Sequence, residues 1–300
     1  MTKINLKAIS FYLAYPFLLG ISILPFPVLY FISDHLLYPT LYLLLGYRKK
    51  VVRTNLINAF PNKSAADNMQ IERRFYHYLC DLFVESLKGL TISKKDLSER
   101  CVYEFDFALT DKWYEQQRSF VMTLGHYGNY EWIAMTLDIA FKHKGTAPFH
   151  KMKNPYFNEM FRKMRMKFGT DMYPTYKTYK MIEKGYDEPF LVALANDQSA
   201  PPLTSYWTTF LNQDTSFFYG TEKIAVQFDM PVLFCEISRP KRGFYKATFK
   251  LIIENPKGEE ANSTIEQHAK LLESQINEKP ELWLWSHRRW KHKKPKSNSK

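Results

Sequence analysis

The sequence predicts an α/β protein, a mixed sheet covered by helices and preceded by an apolar helical segment. Short apolar or β-branched runs at 119–124, 145–149, 189–195, 231–238 and 244–253 alternate with helical patterns at 130–140, 154–167, 178–184, 221–228 and 263–277. Strands that alternate with helices bury their faces as a sheet covered by helices. Residues 11–32 carry no charge over 22 positions, unlike anything later in the chain. With 300 residues, 45% of them hydrophobic, there is ample material for a core.

Taken in order, the uncharged run at 11–32 is close to the roughly 20 residues needed to cross a bilayer. Pro16, Gly20, Pro25 and Pro27 interrupt it, and a second apolar stretch at 36–46 is too short to span. Two arrangements fit, a kinked transmembrane helix or a helical hairpin embedded in one leaflet, and the interruptions favour the embedded hairpin. Lys3 and Lys7 precede the run, while Arg48, Lys49, Lys50 and Arg53 follow it. That excess places the following part on the cytoplasmic side. No small-x-small site closes the run as a signal peptide would. Residues 1–47 are therefore expected to form a membrane anchor, 48–291 the main domain and 292–300 a basic, disordered tail. Residues 55–92 read as helices with an apolar stripe of Ile71, Phe75, Leu79 and Phe83, and Glu85 is expected at the surface, the alternative being that it lines the approach to the active site.

The chemistry concentrates at 124–132. His126 and Glu131 lie five apart across a turn containing Gly125 and Gly128, between a buried strand and a helix that Asn129 would cap. Chance alone gives roughly one such His/acid pair in this composition. The other pair, His268 and Glu273, falls inside a helical pattern, where residues five apart point away from each other, and reads as a solvated face. A turn, unlike a helix, can fold His126 back onto Glu131. A hydroxyl is a poor nucleophile until a base within hydrogen-bond reach takes its proton. His126 fits that role, Glu131 would fix its tautomer, and N–H groups of the glycine turn would face an oxyanion. This is the pattern of an acyl-transfer site. The competing reading is a structural histidine at a turn.

The His-Tyr-Gly-Asn-Tyr-Glu box resembles the His-x4-Asp/Glu box of the late lipid A acyltransferases, the lauroyl and myristoyl transferases of lipopolysaccharide assembly. Further similarity lies in Tyr47–Leu56 with Ala59-Phe60-Pro61, in Lys153-Asn154-Pro155 with Arg165, in Asn196-Asp197-Gln198, in Phe217–Gly220 and in Trp285–Lys291. Each box is short; their shared order over residues 45–291 is the distinctive feature. The resemblance implies a glycerolphosphate-acyltransferase-like fold at the cytoplasmic face of a bacterial inner membrane. It implies transfer of an acyl chain from acyl carrier protein to a hydroxyl of a lipid A precursor, with His126 and Glu131 catalytic. Gly128, Asn129, Asp197 and Arg165 would bind substrate, with Arg162 as the competing arginine. Asp197 would pair with Arg165 or cap a turn. At 221–223, Thr-Glu-Lys departs from the family's small-residue run, leaving chain length and acceptor open.

The net charge of +12 is concentrated in two segments, +7 at 141–167 and +7 at 287–300, leaving −2 elsewhere. Such patches suit phosphate headgroups, an anionic leaflet or an acidic carrier protein. Three widely spaced cysteines indicate neither a disulfide framework nor a zinc site. No nucleotide loop, zincin or serine-hydrolase motif is present. The partners the resemblance implies are acyl carrier protein, a lipid A precursor and a membrane, and no nucleic acid, metal or other cofactor is expected. Two alternatives stay open: a lysophospholipid, glycerol phosphate or aminolipid acceptor, and a non-catalytic membrane or nucleic-acid binding protein.

Overall fold

Five consecutive buried side chains make Phe120–Leu124 the centre of the sheet rather than an edge, because only a strand covered on both faces can bury every side chain. The computed structural model describes residues 5–295. Its strands are β1 (Cys101–Tyr103), β2 (Phe120–Leu124), β3 (Lys144–Phe149), β4 (Asp171–Pro174), β5 (Phe190–Ala195), β6 (Ser205–Phe210), β7 (Gln213–Phe218), β8 (Val232–Lys241) and β9 (Phe244–Ile253). Seven of them form one sheet in the order β1-β9-β8-β2-β5-β3-β4. Only the β8–β9 pair is antiparallel. Helices Gly220–Phe228 and Ser263–Glu278 pack on β2, and Leu137–Ala140 packs on β3. The mixed sheet covered by helices is as the sequence predicts.

Four strands were not legible beforehand. β1 and β4 are three and four residues long. β6 and β7 form a separate hairpin whose turn, Leu211-Asn212, places both residues at positive φ (49° and 60°). Such a turn is usually announced by Asn-Gly, and Leu-Asn carries only half of that signal. The helix expected over 130–140 divides at Thr136, whose Oγ1 bonds back to the carbonyls of Trp132 and Ile133. Within helix Ala65–Lys88 the expected stripe holds for Ile71, Phe75 and Leu79, while Phe83 is exposed.

The apolar N-terminal run is not one helix. Leu6–Ile23 is followed by a break at Leu24-Pro25, then by Phe26–Ile32 and two wide π-type turns, Ser33–Leu37 and Pro39–Leu44. Pro25 lacks the N–H that would continue the first helix and starts the second. Among the described residues, Leu6–Ile23 is the one helix long and apolar enough to cross a membrane. Its Leu13 and Phe17 are exposed, as are Phe31, Leu36 and Leu44 beyond the break. The inner side is fastened by polar bonds: Ser33 Oγ donates to Asp81 and Tyr30 Oη to Glu85. The tail expected at 292–300 lies outside the described residues from 296 onward, as does Lys3.

Candidate active site

β2 and β5 run parallel, with Leu124 opposite Ala195. Two residues beyond each strand end stand His126 and Asp197, so the register alone brings them together. His126 Nδ1 lies 2.5 Å from Asp197 Oδ1, and its backbone N–H donates to Asp197 Oδ2 at 2.8 Å. Trp283 Nε1 donates to the same Oδ2 at 2.7 Å. One carboxylate thus accepts three N–H groups, which fixes both its orientation and the imidazole tautomer. The other ring nitrogen, Nε2, is 3.1 Å from Gln198 Nε2. Tyr130 packs edge-on against the ring at 4.9 Å between centroids.

The glycines explain how the turn fits so tightly. Gly128 has φ +56°, and a Cβ there would lie 2.7 Å from Ile237 Cγ2. A Cβ on Gly125 would lie 2.5 Å from Leu272 Cδ1. Gly128 disfavours a side chain by backbone conformation and space together, whereas at Gly125 a Cβ would force the Leu272 side chain to move.

The electrostatics follow from burial and pairing. Asp197 is 2% exposed, whereas the imidazole retains 18% exposure and is reachable from outside. Burial alone would push the His126 pKa down, but attraction and hydrogen bonding to Asp197 outweigh it, so the net shift is upward. Burial likewise favours a protonated Asp197, and the charge and donors around it reverse that, holding its pKa well below the usual carboxylate range.

Several expected pairings are corrected. Glu131 does not orient His126; Arg165 holds it through two N–H groups at 2.6 Å each. The reason is position: Glu131 sits in the first turn of helix Tyr130–Met135, facing helix Pro155–Arg165, while the parallel register has already put Asp197 at Nδ1. Asp197 therefore does not pair with Arg165 either. Arg162 is tied to Glu159, three residues before it on the same helix. Asn129 caps its helix as expected, accepting from Trp132 N–H, but it is wholly buried and its amide donates to Glu85 rather than facing a ligand. Gly128 donates its N–H to Leu282 O and accepts from Tyr78 Oη, and His126 N–H is engaged by Asp197, so neither N–H is free for an oxyanion.

Two surface readings are also corrected. Glu85 is completely buried and accepts from Tyr30, Asn129 and Tyr245, linking the N-terminal segment, the glycine turn and β9. Burial raises its pKa, opposed by Arg239. His268 does not meet Glu273, but it is no solvated residue: it is fully buried, its Nδ1 lies 2.9 Å from Thr123 Oγ1, and burial pushes its pKa down to about 4. Arg289, one of the basic residues near the C-terminus, is 2% exposed and donates to Ser216 O. The sequence reading missed Trp283 and Gln198 as contacts of the dyad. Gln198 lies within a box already singled out and Trp283 just before another, but no spacing rule joins positions 198 and 283 to 126.

A partly exposed imidazole at the carboxyl edge of the sheet, with Nδ1 on a buried carboxylate, has the geometry of a group able to move a proton in an α/β protein. The chain belongs to the bacterial lipid A biosynthesis acyltransferase family, whose sequence model matches residues 3–292. Membership makes it an acyltransferase with a lipid A precursor as acceptor. No individual curated protein matches the chain.

Proposed function

We propose that this protein is a membrane-anchored O-acyltransferase that moves a fatty acyl chain from an acyl carrier protein thioester to a hydroxyl of a lipid A precursor. The observation that carries the reading is the His126–Asp197 pair at 2.5 Å, on an imidazole that stays partly exposed. Family membership supplies the acyl-transfer class and the acceptor. The exposed apolar belt of the N-terminal segment supports attachment to a membrane, and the basic residues after it support a cytoplasmic catalytic face. The sheet topology is compatible with the glycerolphosphate-acyltransferase-like arrangement the resemblance implies.

In the proposed reaction His126 Nε2 takes the proton of the acceptor hydroxyl as its oxygen forms a bond to the thioester carbonyl carbon. Asp197 stabilises the resulting imidazolium. The C–S bond then breaks, and the imidazolium returns the proton to the departing thiolate. Gln198 occupies Nε2 in the free enzyme, so the hydroxyl must displace its amide. Glu131, although paired with Arg165, makes a small further contribution that favours the imidazolium. Arg165 uses Nε and Nη2 on Glu131, leaving Nη1 available to an anionic oxygen of substrate.

The test is transfer from acyl carrier protein to a purified lipid A precursor, read by mass spectrometry as the gain of one acyl group. His126→Ala is expected to lose on the order of 10² or more in rate while remaining folded and membrane-bound. Undiminished transfer by that variant would overturn the assignment.

A further inference from the structure

A cavity of about 430 Å³ lies where the anchor, helix Ala65–Lys88 and the β8–β9 hairpin meet. No residue of the site around His126 lines it, although two of its walls, Tyr78 and Leu282, hold Gly128 from behind. Its floor is a paired charge cluster. Arg239 and Arg242 donate to buried Asp81 at 2.6 and 2.5 Å, and Arg242 grips Asp34 through two further N–H groups. Arg239 Nε is buried without a partner. Its rim is different. Arg74, Lys241 and Lys279 also line it, and none of the three forms an ion pair among the described residues, although the Lys241 ammonium lies 3.9 Å from the Phe244 ring centroid; the remaining lining acid is Glu281.

The cavity therefore carries surplus positive charge and unused N–H donors, which match the oxygens of a phosphate group. Its volume falls within the range of sites that hold small ligands. Asp34 lies in the turn between Phe31 and Leu36, two exposed apolar side chains of the anchor, so the mouth opens at the level where the protein would meet lipid. We propose that this cavity is a second lipid site that binds the phosphate of an anionic membrane-lipid headgroup, apart from the acceptor at His126. The proposal rests on the membrane-anchored reading above.

Co-sedimentation of the full chain with vesicles tests it, using phosphatidylcholine alone or doped with phosphatidic acid or phosphatidylserine at matched surface potential. The triple variant Arg74→Ala, Lys241→Ala, Lys279→Ala is compared with a control triple, Lys94→Ala, Lys95→Ala, Lys270→Ala. At about 5-fold per cation, the cavity variant is expected to lose on the order of 100-fold in affinity for phosphatidic acid vesicles. The control should lose far less, and inorganic phosphate should compete more strongly than chloride at equal ionic strength. Equal losses in both triples, or no preference for phosphatidic acid, would show a diffuse surface field and overturn the site. Inorganic phosphate binding in detergent as tightly as the headgroup would make the ligand a soluble anion. A raised KM for detergent-dispersed acceptor in the cavity variant would assign the cavity to the acceptor itself, which also overturns the proposal. Failure of the wild-type chain to bind any vesicle would overturn the anchor reading and this proposal with it.

Discussion

Asp197→Asn is the sharpest perturbation of the site because it changes one atom and leaves the shape intact. Asp197 offers two oxygens to three donors: His126 Nδ1–H on one, His126 N–H and Trp283 Nε1–H on the other. An asparagine must put its NH2 on one side. Facing the backbone and indole donors, it would forfeit two hydrogen bonds and set donors against each other; facing His126, it forfeits one. The second orientation wins, and it presents a donor to Nδ1. Nδ1 must then accept, the ring proton moves to Nε2, and the base loses the lone pair that would take the hydroxyl proton. The same tautomer trap in a serine protease triad costs about 10⁴ in kcat, or about 5.5 kcal/mol of barrier. A fall of that order is expected here, in initial rates of transfer from acyl carrier protein to lipid A precursor in detergent, with thermal unfolding as the fold control. Glu131→Gln is expected to fall less, because Arg165 rather than His126 is its partner. If the Asn variant kept its rate within about tenfold, or if Glu131→Gln proved the more damaging, the reasoning from the Asp197 contact would be refuted.

Other outcomes follow from the same geometry. As the proposed base His126 must be neutral, and its pKa is raised because Asp197 outweighs burial, so the acid limb of kcat/KM should lie above the ordinary imidazole value of about 6.5. Below that limb the imidazolium has no lone pair to offer and the rate falls; a limb at or under 6.5 would contradict the pairing. His268 is buried neutral, with its pKa pushed down to about 4, so the unfolded chain binds a proton that the folded one refuses. Stability should therefore decline as pH falls from about 6.5 to about 4, and His268→Phe should flatten that part of a denaturant-unfolding series. Gly128→Ala meets both a positive φ and Ile237 Cγ2 at 2.7 Å, and a loss of at least 1–3 kcal/mol is expected by chemical denaturation.

The sequence by itself determined the layer structure and the place of the chemistry. Apolar runs such as 120–124 and 190–195 can only be central strands, since no half-exposed strand is apolar on both faces. A histidine and an aspartate just past two such runs lie at one sheet edge when the strands run parallel, as strands alternating with helices do. The chain also marked its apolar N-terminus and the glycine turn by composition alone. What only the tertiary structure decided was the partner of each group. Spacing along the chain favoured Glu131 for His126, because five residues across a turn is a short path. The parallel register of β2 and β5 brought Asp197, 71 positions away, to within 2.5 Å instead. Glu85 and His268 looked like solvated helix positions because single-sequence periodicity sees one helix face at a time. The far side of each helix was then covered by elements distant in sequence: Tyr30 and Tyr245 closed over Glu85, and β2 closed over His268. Local pattern specifies which faces are apolar; which polar atoms end up touching depends on how those faces are stacked, and that is a property of the assembled sheet.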